Sequence, residues 1–385
     1  TNLLYHILTA AGLCVGMVST VNAVIGKQVY DTGLHTTTPD APDVQRYLAQ
    51  MVEAGSDYAI LETTSHGLAQ RRVDACDFDV AVVTNITHEH LDLHRSHDEY
   101  VAAKARLFEA LSASHRKPGV AKVAVLNVDD HHFKRLLPIP ADRHITYGLQ
   151  HQADVTAQDI QVYPDGLVFE AQTPAGAFRL HSNLVGRYNV YNILAAVAVG
   201  LSQGMPVEAV QQGVVNLHTL IGRMERIDEG QDFLAIVDFA HTPYALEQAL
   251  KTARGLTCEN GRVIAVFGSA GLRDVQKRAW MARISARLAD VTVLTAEDPR
   301  TESLEAILAE MAKGCNEAGA REGRDFWRIG DRSEAIDFAV SQARAGDVVI
   351  ACGKGHERSL CFGTTEIPWS DQDAMRAALR RRLQR

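Results

Sequence analysis

The stretch VAVVTNITHEHLDLH, Val80–His94, joins a short β-branched run to a loop holding three histidines and two carboxylates. An apolar run of that length reads as a buried strand, Val80–Asn85, which puts the polar cluster at the strand's carboxyl end. Six further runs share the form: Tyr58–Glu62, Val123–Asn127, Leu234–Asp238, Val263–Gly268, Val291–Thr295 and Val348–Gly353. Helix-forming segments lie between them at Ala41–Ala54, Tyr100–Leu111, Asn189–Gln203, Tyr244–Arg254, Lys277–Leu288, Leu304–Ala318 and Arg332–Ala343. This alternation predicts an α/β fold of mainly parallel sheets covered on both faces, with ligands gathered at the carboxyl ends of the strands.

The rhythm breaks between about residues 145 and 185. There Gly166–Ala171 and Ala177–His181 flank the turn sequences Pro164-Asp165-Gly166 and Pro174-Ala175-Gly176, so a small antiparallel patch is expected. The rhythm resumes after Gly222-Arg223, which sets the expected domains at 1–222 and 223–385. A length of 385 residues is itself more than one hydrophobic core usually organises. The net charge of -8 argues against nucleic acid or an anionic membrane surface as main partner, but leaves room for a small anionic ligand. The six cysteines are scattered, with no C-x-x-C pair, and read as reduced thiols of a cytoplasmic protein. No apolar stretch approaches membrane-spanning length and no signal peptide is visible.

Two strand ends carry the chemistry. Glu62 closes one strand and precedes Thr63-Thr64-Ser65-His66-Gly67; His88, Glu89, His90, Asp92 and His94 follow the other. If those strands are neighbours in a parallel sheet, about 4.8 Å apart, their ends share one ion. Lys104, set among Ala102, Ala103 and Ala105, is a candidate to point inward. Taken singly, each has a bland reading: a turn cap, a solvated loop, a surface lysine. The run from His88 to His94 partly mimics the H-x-H-x-D-H pattern of zinc hydrolases, but Leu93 displaces His94. Zinc favours neutral histidine or thiolate, whereas carboxylate with phosphate oxygens suits magnesium. At this point a zinc site, a magnesium site and a polar loop all stay open.

Further stretches then match in order: HTTTPDAPDVQ, LETTSHGLAQRRVD, TNITHEHLDLH, AAKARLF, LNVDD, GRYNVYNILAA, GRMERI, VDFAHTPYALE, FGSAGLRDVQKR, TAEDPRTE and ACGKGHE. Together they resemble the Mur ligase family nearly end to end. The resemblance implies a central ATPase-type domain followed by a Rossmann-like C-terminal domain. It also implies ATP-dependent amide formation in peptidoglycan synthesis: a diamino acid (diaminopimelate, lysine or ornithine) added to UDP-N-acetylmuramoyl-L-alanyl-D-glutamate by a monomer.

The same resemblance assigns residues. Glu62, His90 and a carbamylated Lys104 would hold Mg²⁺ against ATP. Thr36, Thr37, Thr38, Thr64, Gln70 and Arg72 would hold the sugar-peptide, with a threonine at 36 where the family often has asparagine. Asn192 would contact adenine, and Arg223, Asp238 and His241 the rest of the nucleotide; closure of the domains would bring Arg223 to ATP and exclude water. Arg273, Glu297, Asp298, Arg300, Gly353 and Glu357 would bind the incoming amino acid, with Arg300 able to grip a carboxylate in a bidentate pair. EDPR stands where diaminopimelate-adding members show DNPR, and Leu272 replaces an acidic residue.

No G-x-x-x-x-G-K-[ST] occurs in the sequence, although Thr1-Asn2-Leu3-Leu4 reads like the helix behind such a phosphate loop. The expectation is that residues 1–385 lack that loop and a uridine-binding N-terminal domain. Competing readings are a folylpolyglutamate or cyanophycin synthetase relative, a metal-dependent hydrolase built on His88, His90 and Asp92, and an inactive binding protein.

Overall fold

The computed structural model describes residues 1–30, 37–86 and 96–384. The chain divides into two compact units, 1–218 and 219–385. The turn Leu220–Arg223 thus falls wholly in the second unit, where the Gly222 amide donates to Glu225 Oε2 at 2.7 Å.

The first unit opens with α1 (Asn2–Ala10), β1 (Val15–Val18), β2 (Ala23–Ile25), β3 (Gln28–Tyr30) and α2 (Ala41–Glu53). Next come β4 (Tyr58–Leu61), α3 (Ser65–Ala69), β5 (Val80–Val82), α4 (His97–Ala113) and β6 (Val123–Asn127). It ends with α5 (Phe133–Leu136), β7 (Arg143–Tyr147), β8 (Thr156–Tyr163), β9 (Gly166–Thr173), β10 (Gly176–Ser182), α6 (Tyr188–Ser202) and α7 (Val207–Asn216). Strands β8–β10 form the antiparallel patch expected from the two turn sequences.

One expectation fails. β4 and β5 are not ladder neighbours among the described residues: β4 pairs with β1 at the edge of β3-β2-β1-β4, and β5 pairs with β6 in β5-β6-β7. Side chains join them instead, since Leu61 packs on the core cluster that holds Ala81, Val83, Leu68 and Phe108. The 4.8 Å ladder spacing therefore gives no ground for a shared ion. A second feature escapes the pattern of apolar residues. Lys122 is fully buried just before β6, and its ammonium donates to the Phe78 carbonyl (2.6 Å), the His115 carbonyl (2.8 Å), Ser114 Oγ (2.9 Å) and Asp79 Oδ1 (3.1 Å). Satisfied this fully, a buried lysine becomes a cross-link between β5 and the end of α4.

The second unit begins with β11 (Glu225–Ile227), β12 (Leu234–Asp238), α8 (Pro243–Leu256), β13 (Val263–Phe267), α9 (Gln276–Leu288) and β14 (Val291–Leu294). It continues through α10 (Leu304–Glu317), β15 (Phe326–Arg328), α11 (Arg332–Gln342), β16 (Val348–Cys352), β17 (Ser359–Phe362), β18 (Thr365–Pro368) and α12 (Asp371–Leu383). Its main sheet runs β11-β12-β16-β13-β14-β15, parallel apart from β11. VIAVF, VTVL and VVIAC are buried at every position, as a sheet covered on both faces requires. The carboxyl ends of β12, β16, β13 and β14 deliver Asp238, Gly353, Gly268 and Glu297 to one rim, where doubly wound sheets bind ligands. No helix among the described residues is long and apolar enough to cross a membrane.

Candidate active site

In the first unit the polar cluster is built around the end of β4. Glu62 Oε1 accepts from Thr20 Oγ1 at 2.9 Å and Oε2 from the Thr20 amide at 3.1 Å. With that proton committed to Glu62, Thr20 Oγ1 accepts from Thr37 Oγ1 at 3.1 Å. Thr38 is buried; its hydroxyl donates to the Glu62 carbonyl at 3.1 Å and accepts from the Thr64 amide at 2.9 Å. Thr64 in turn caps α3 by accepting from the Gly67 amide at 3.0 Å. Arg72 ties the same corner together, donating to the Thr38 carbonyl (2.7 Å) and Gln70 Oε1 (2.9 Å) and pairing with Asp40 (3.1 Å). Thr37, Thr38, Thr64, Gln70 and Arg72, picked out separately in the sequence, thus form one connected network beside Glu62.

Lys104 lies half-buried on α4 between buried Ala103 and Ala105. Its ammonium sits 3.4 Å from the Asn85 carbonyl, just beyond β5, and 5.2 Å from the centre of the Tyr100 ring. The lysine therefore turns toward the strand end. His90 and Thr36 lie outside the described residues, as does the rest of the histidine cluster between 87 and 95. Among the described residues no three His, Cys, Asp or Glu side chains make a metal-binding group. Glu62 does fit a hard cation in kind, offering a carboxylate at a strand end. Asn192, on α6, donates to Asn189 Oδ1 at 2.9 Å, and Asn189 anchors to the Val185 carbonyl at 2.7 Å.

In the second unit two groups of residues form. Asp238, buried at the end of β12, accepts from the Met224 amide (2.7 Å) and the Ala240 amide (2.8 Å). Burial raises its carboxyl pKa, against the pull of Arg223. Arg223 stacks on Phe239 with its guanidinium 4.7 Å from the ring centre, and the His241 and His356 rings pack on that same phenylalanine.

The second group follows β14 and β16. Glu297 and Asp298 are both buried. Asp298 Oδ1 accepts from Lys354 Nζ (2.8 Å) and from the Cys361 amide (2.9 Å), and Lys354 also pairs with Glu357 at 2.5 Å. Burial alone would lower the Lys354 pKa, but the facing carboxylates of Glu357 and Asp298 raise it. Sequence reading passed over Lys354, although it stands inside the ACGKGHE stretch; a lysine followed by a carboxylate three positions on was the available signal. Arg332 and Asp371 were missed as well. They form a fully buried bidentate pair at 2.6 and 2.7 Å, and Arg332 also donates to the carbonyls of Ala296 (3.2 Å) and Cys352 (2.8 Å).

After these pairings, Glu297 Oε2 and Arg300 Nε are left without a hydrogen-bond partner among the described residues, as are Ser269 Oγ and Arg278 Nε in the same unit. Gly353, at φ 110°, makes room for the former, because a Cβ there would stand 2.8 Å from Glu297 Oε2. Arg273 is exposed on the loop after β13. An anionic and a cationic group left unsatisfied close in sequence suit a zwitterionic ligand.

Burial pushes the Glu297 carboxyl from 4.5 up to about 6, against the pull of Lys277, Lys354 and Arg332. A folded-state pKa above the unfolded one means the native protein holds the proton more tightly, so stability falls as pH rises through this window. Glu297→Gln should match the parent below pH 4.5. Above pH 6 the variant should exceed it by about 2 kcal/mol, the energy of moving that carboxyl from 4.5 to about 6. Urea unfolding at a series of pH values checks this, and a glutamine variant less stable at pH 8 would refute it.

Comparison with known proteins agrees along the whole chain. The family model described as Mur ligase middle domain matches residues 1–200, and that described as Mur ligase, glutamate ligase domain matches residues 222–355. A UDP-N-acetylmuramyl-tripeptide synthetase from Roseiflexus sp. is 43% identical, over 97% of this chain and 74% of the relative. A UDP-N-acetylmuramoyl-L-alanyl-D-glutamate–2,6-diaminopimelate ligase from Geobacillus thermodenitrificans is 40% identical, over 99% of this chain and 76% of its own length. A solved structure with the same ligase name superposes with a TM-score of 0.65 at 33% identity, covering all of this chain and 76% of its own. With matches of this extent over both compact units, the chain belongs to the Mur ligase family.

Proposed function

We propose that the protein is an ATP-dependent amide ligase that adds a diamino acid to the D-glutamyl γ-carboxylate of UDP-N-acetylmuramoyl-L-alanyl-D-glutamate. The observation that carries the acceptor half is the unsatisfied pair in the second unit, Glu297 Oε2 and Arg300 Nε. Asp298 and Glu357 already share Lys354 as a partner, so Glu297 is the carboxylate left to receive an ammonium group. Arg300 is the cation left for a carboxylate, and relatives named as 2,6-diaminopimelate ligases support that acceptor over lysine or ornithine. Asp298, Gly353 and Glu357 then shape this site, and Arg273 closes it from the neighbouring loop.

In the first unit the network of Thr37, Thr38, Thr64, Gln70 and Arg72 offers hydroxyls, an amide and a guanidinium to the sugar-peptide, to which Thr36 is also assigned. Asn192, Arg223, Asp238 and His241 are assigned to the nucleotide. Glu62, His90 and Lys104, the last as a carbamate, would hold Mg²⁺, which when bound supplies charge neutralisation between phosphate groups. The substrate γ-carboxylate attacks the γ-phosphorus of ATP, ADP departs, and an acyl-phosphate forms. The acceptor amine then adds to the acyl carbon, and phosphate leaves as the C–N bond is completed.

Phosphate release by the full-length protein, with diaminopimelate, lysine and ornithine supplied in parallel, tests this reading. Release should need ATP and the UDP-sugar dipeptide and be fastest with diaminopimelate. Peptide-bond cleavage without ATP, accompanied by bound zinc, would support the hydrolase reading instead.

A further inference from the structure

Arg278 and Glu302 belong to neither group above, yet they join the two loops that carry Arg273 and Arg300. Arg278 is fully buried on α9. Its guanidinium grips Glu302 in a bidentate pair, at 2.7 Å to Oε1 and 2.7 Å to Oε2, and reaches Glu310 at 2.9 Å. Glu302 Oε2 also accepts from the Leu272 amide at 3.0 Å. These bonds hold the Glu302 carboxyl down at about 2.

The contact is made under backbone strain. Leu272 has φ 57°, in the left-handed region, while its side chain is 63% exposed, so no burial rewards that conformation. The facing loop is bent in the same sense, with Asp298 at φ 41° and Arg300 at φ 54°. The loops touch through the Gly271 amide, which donates to the Asp298 carbonyl at 2.9 Å. No side chain fits there, because a Cβ on Gly271 would stand 2.0 Å from the Pro299 carbonyl oxygen. Strained residues on touching loops persist only where surrounding structure over-determines them. Glu302, bonded to a strained amide on one side and a buried cation on the other, supplies that constraint.

We propose that Glu302, backed by Arg278, is a positioning residue for the acceptor amino acid: it clasps the Gly271–Arg273 loop to the Glu297–Arg300 loop and so fixes the separation of Arg273 and Arg300. The inference rests on the acceptor-site reading above. It assigns these two residues no contact with substrate; they act through the geometry of the arginines.

Steady-state kinetics of the full-length protein, varying each substrate in turn, test it. Glu302→Gln keeps an acceptor for the Leu272 amide but loses the charge that binds Arg278. It should raise the acceptor KM about tenfold or more, leaving the KM for ATP and for the UDP-sugar dipeptide unchanged and kcat near the parent value. Adding Leu272→Asn to that variant should recover part of the loss, since asparagine tolerates the left-handed region better than leucine. An unchanged acceptor KM would overturn the proposal. So would an equal rise in all three KM values with a lowered melting temperature, because that is the mark of a merely structural pair. Arg300→Ala serves as the control. If it raises the acceptor KM while Glu302→Gln does not, the clasp alone is wrong; if neither does, the acceptor-site reading has failed.

Discussion

Asp371→Ala is expected to lower the melting temperature of the second unit by roughly 10 °C, the largest stability effect of any single substitution considered. Arg332 and Asp371 have no exposure to water, and Trp369 Nε1 adds a further 2.8 Å hydrogen bond to the same carboxylate. Removing Asp371 strands a guanidinium in low dielectric, a loss of about 3–5 kcal/mol, whereas replacing both partners by apolar residues is often close to neutral. The pair Arg332→Met with Asp371→Leu should therefore recover much of the loss. Differential scanning calorimetry of the single and double variants measures this. If the single variant melts with the parent, the buried pair is not what anchors α11 to α12. Arg332 also bonds the Ala296 carbonyl, directly before Glu297, so acceptor binding should weaken in the single variant.

The largest effect on activity is expected at Lys104. Lys104→Ala should cut kcat by roughly 10²–10³-fold, the range seen when one group stabilising transition-state charge is lost. Lys104→Arg separates two roles for the side chain. Arginine keeps the positive charge but cannot form a carbamate, so a carboxylate-like role predicts that it is as inactive as alanine. An arginine variant with near-parental kcat would mean that Lys104 works as a cation. The half-buried setting on α4 suits either, and the measurement is the kcat of both variants at saturating substrates.

Much of the architecture was legible because it rests on local pattern. VIAVF and VVIAC are buried at every position, and the helices between them begin at caps such as Thr242, Ser303 and Asp331. Every expected strand and helix has a counterpart whose ends differ by three residues or fewer. What the pattern does not carry is pairing. Tyr58–Leu61 and Val80–Val82 look alike in sequence, yet they take different ladder partners, since register depends on segments far along the chain. Short elements such as β2, β3 and β15, three residues each, are too brief for any period to emerge. The polar framework of the site was the least legible part. Lys122, Arg278, Arg332 and Asp371 are charged residues that composition places at the surface, and their burial is explained by tertiary partners that include Phe78, Glu302 and the Arg332–Asp371 pair itself, 24 to 44 positions apart. Glu297, Asp298 and Arg300 were found through one short motif, but the pairing of Lys354 with Asp298, 56 positions away, is a tertiary contact that no local pattern carries.

Activation of a carboxylate by ATP is the claim on which the functional reading stands, and isotope transfer measures it directly. The UDP-sugar dipeptide, labelled with ¹⁸O in its D-glutamyl γ-carboxylate, is incubated with ATP, diaminopimelate and the full-length protein, and the released phosphate is analysed by mass. Passage through an acyl-phosphate predicts one ¹⁸O in each phosphate released with amide product. Amide product accompanied by unlabelled phosphate would contradict it.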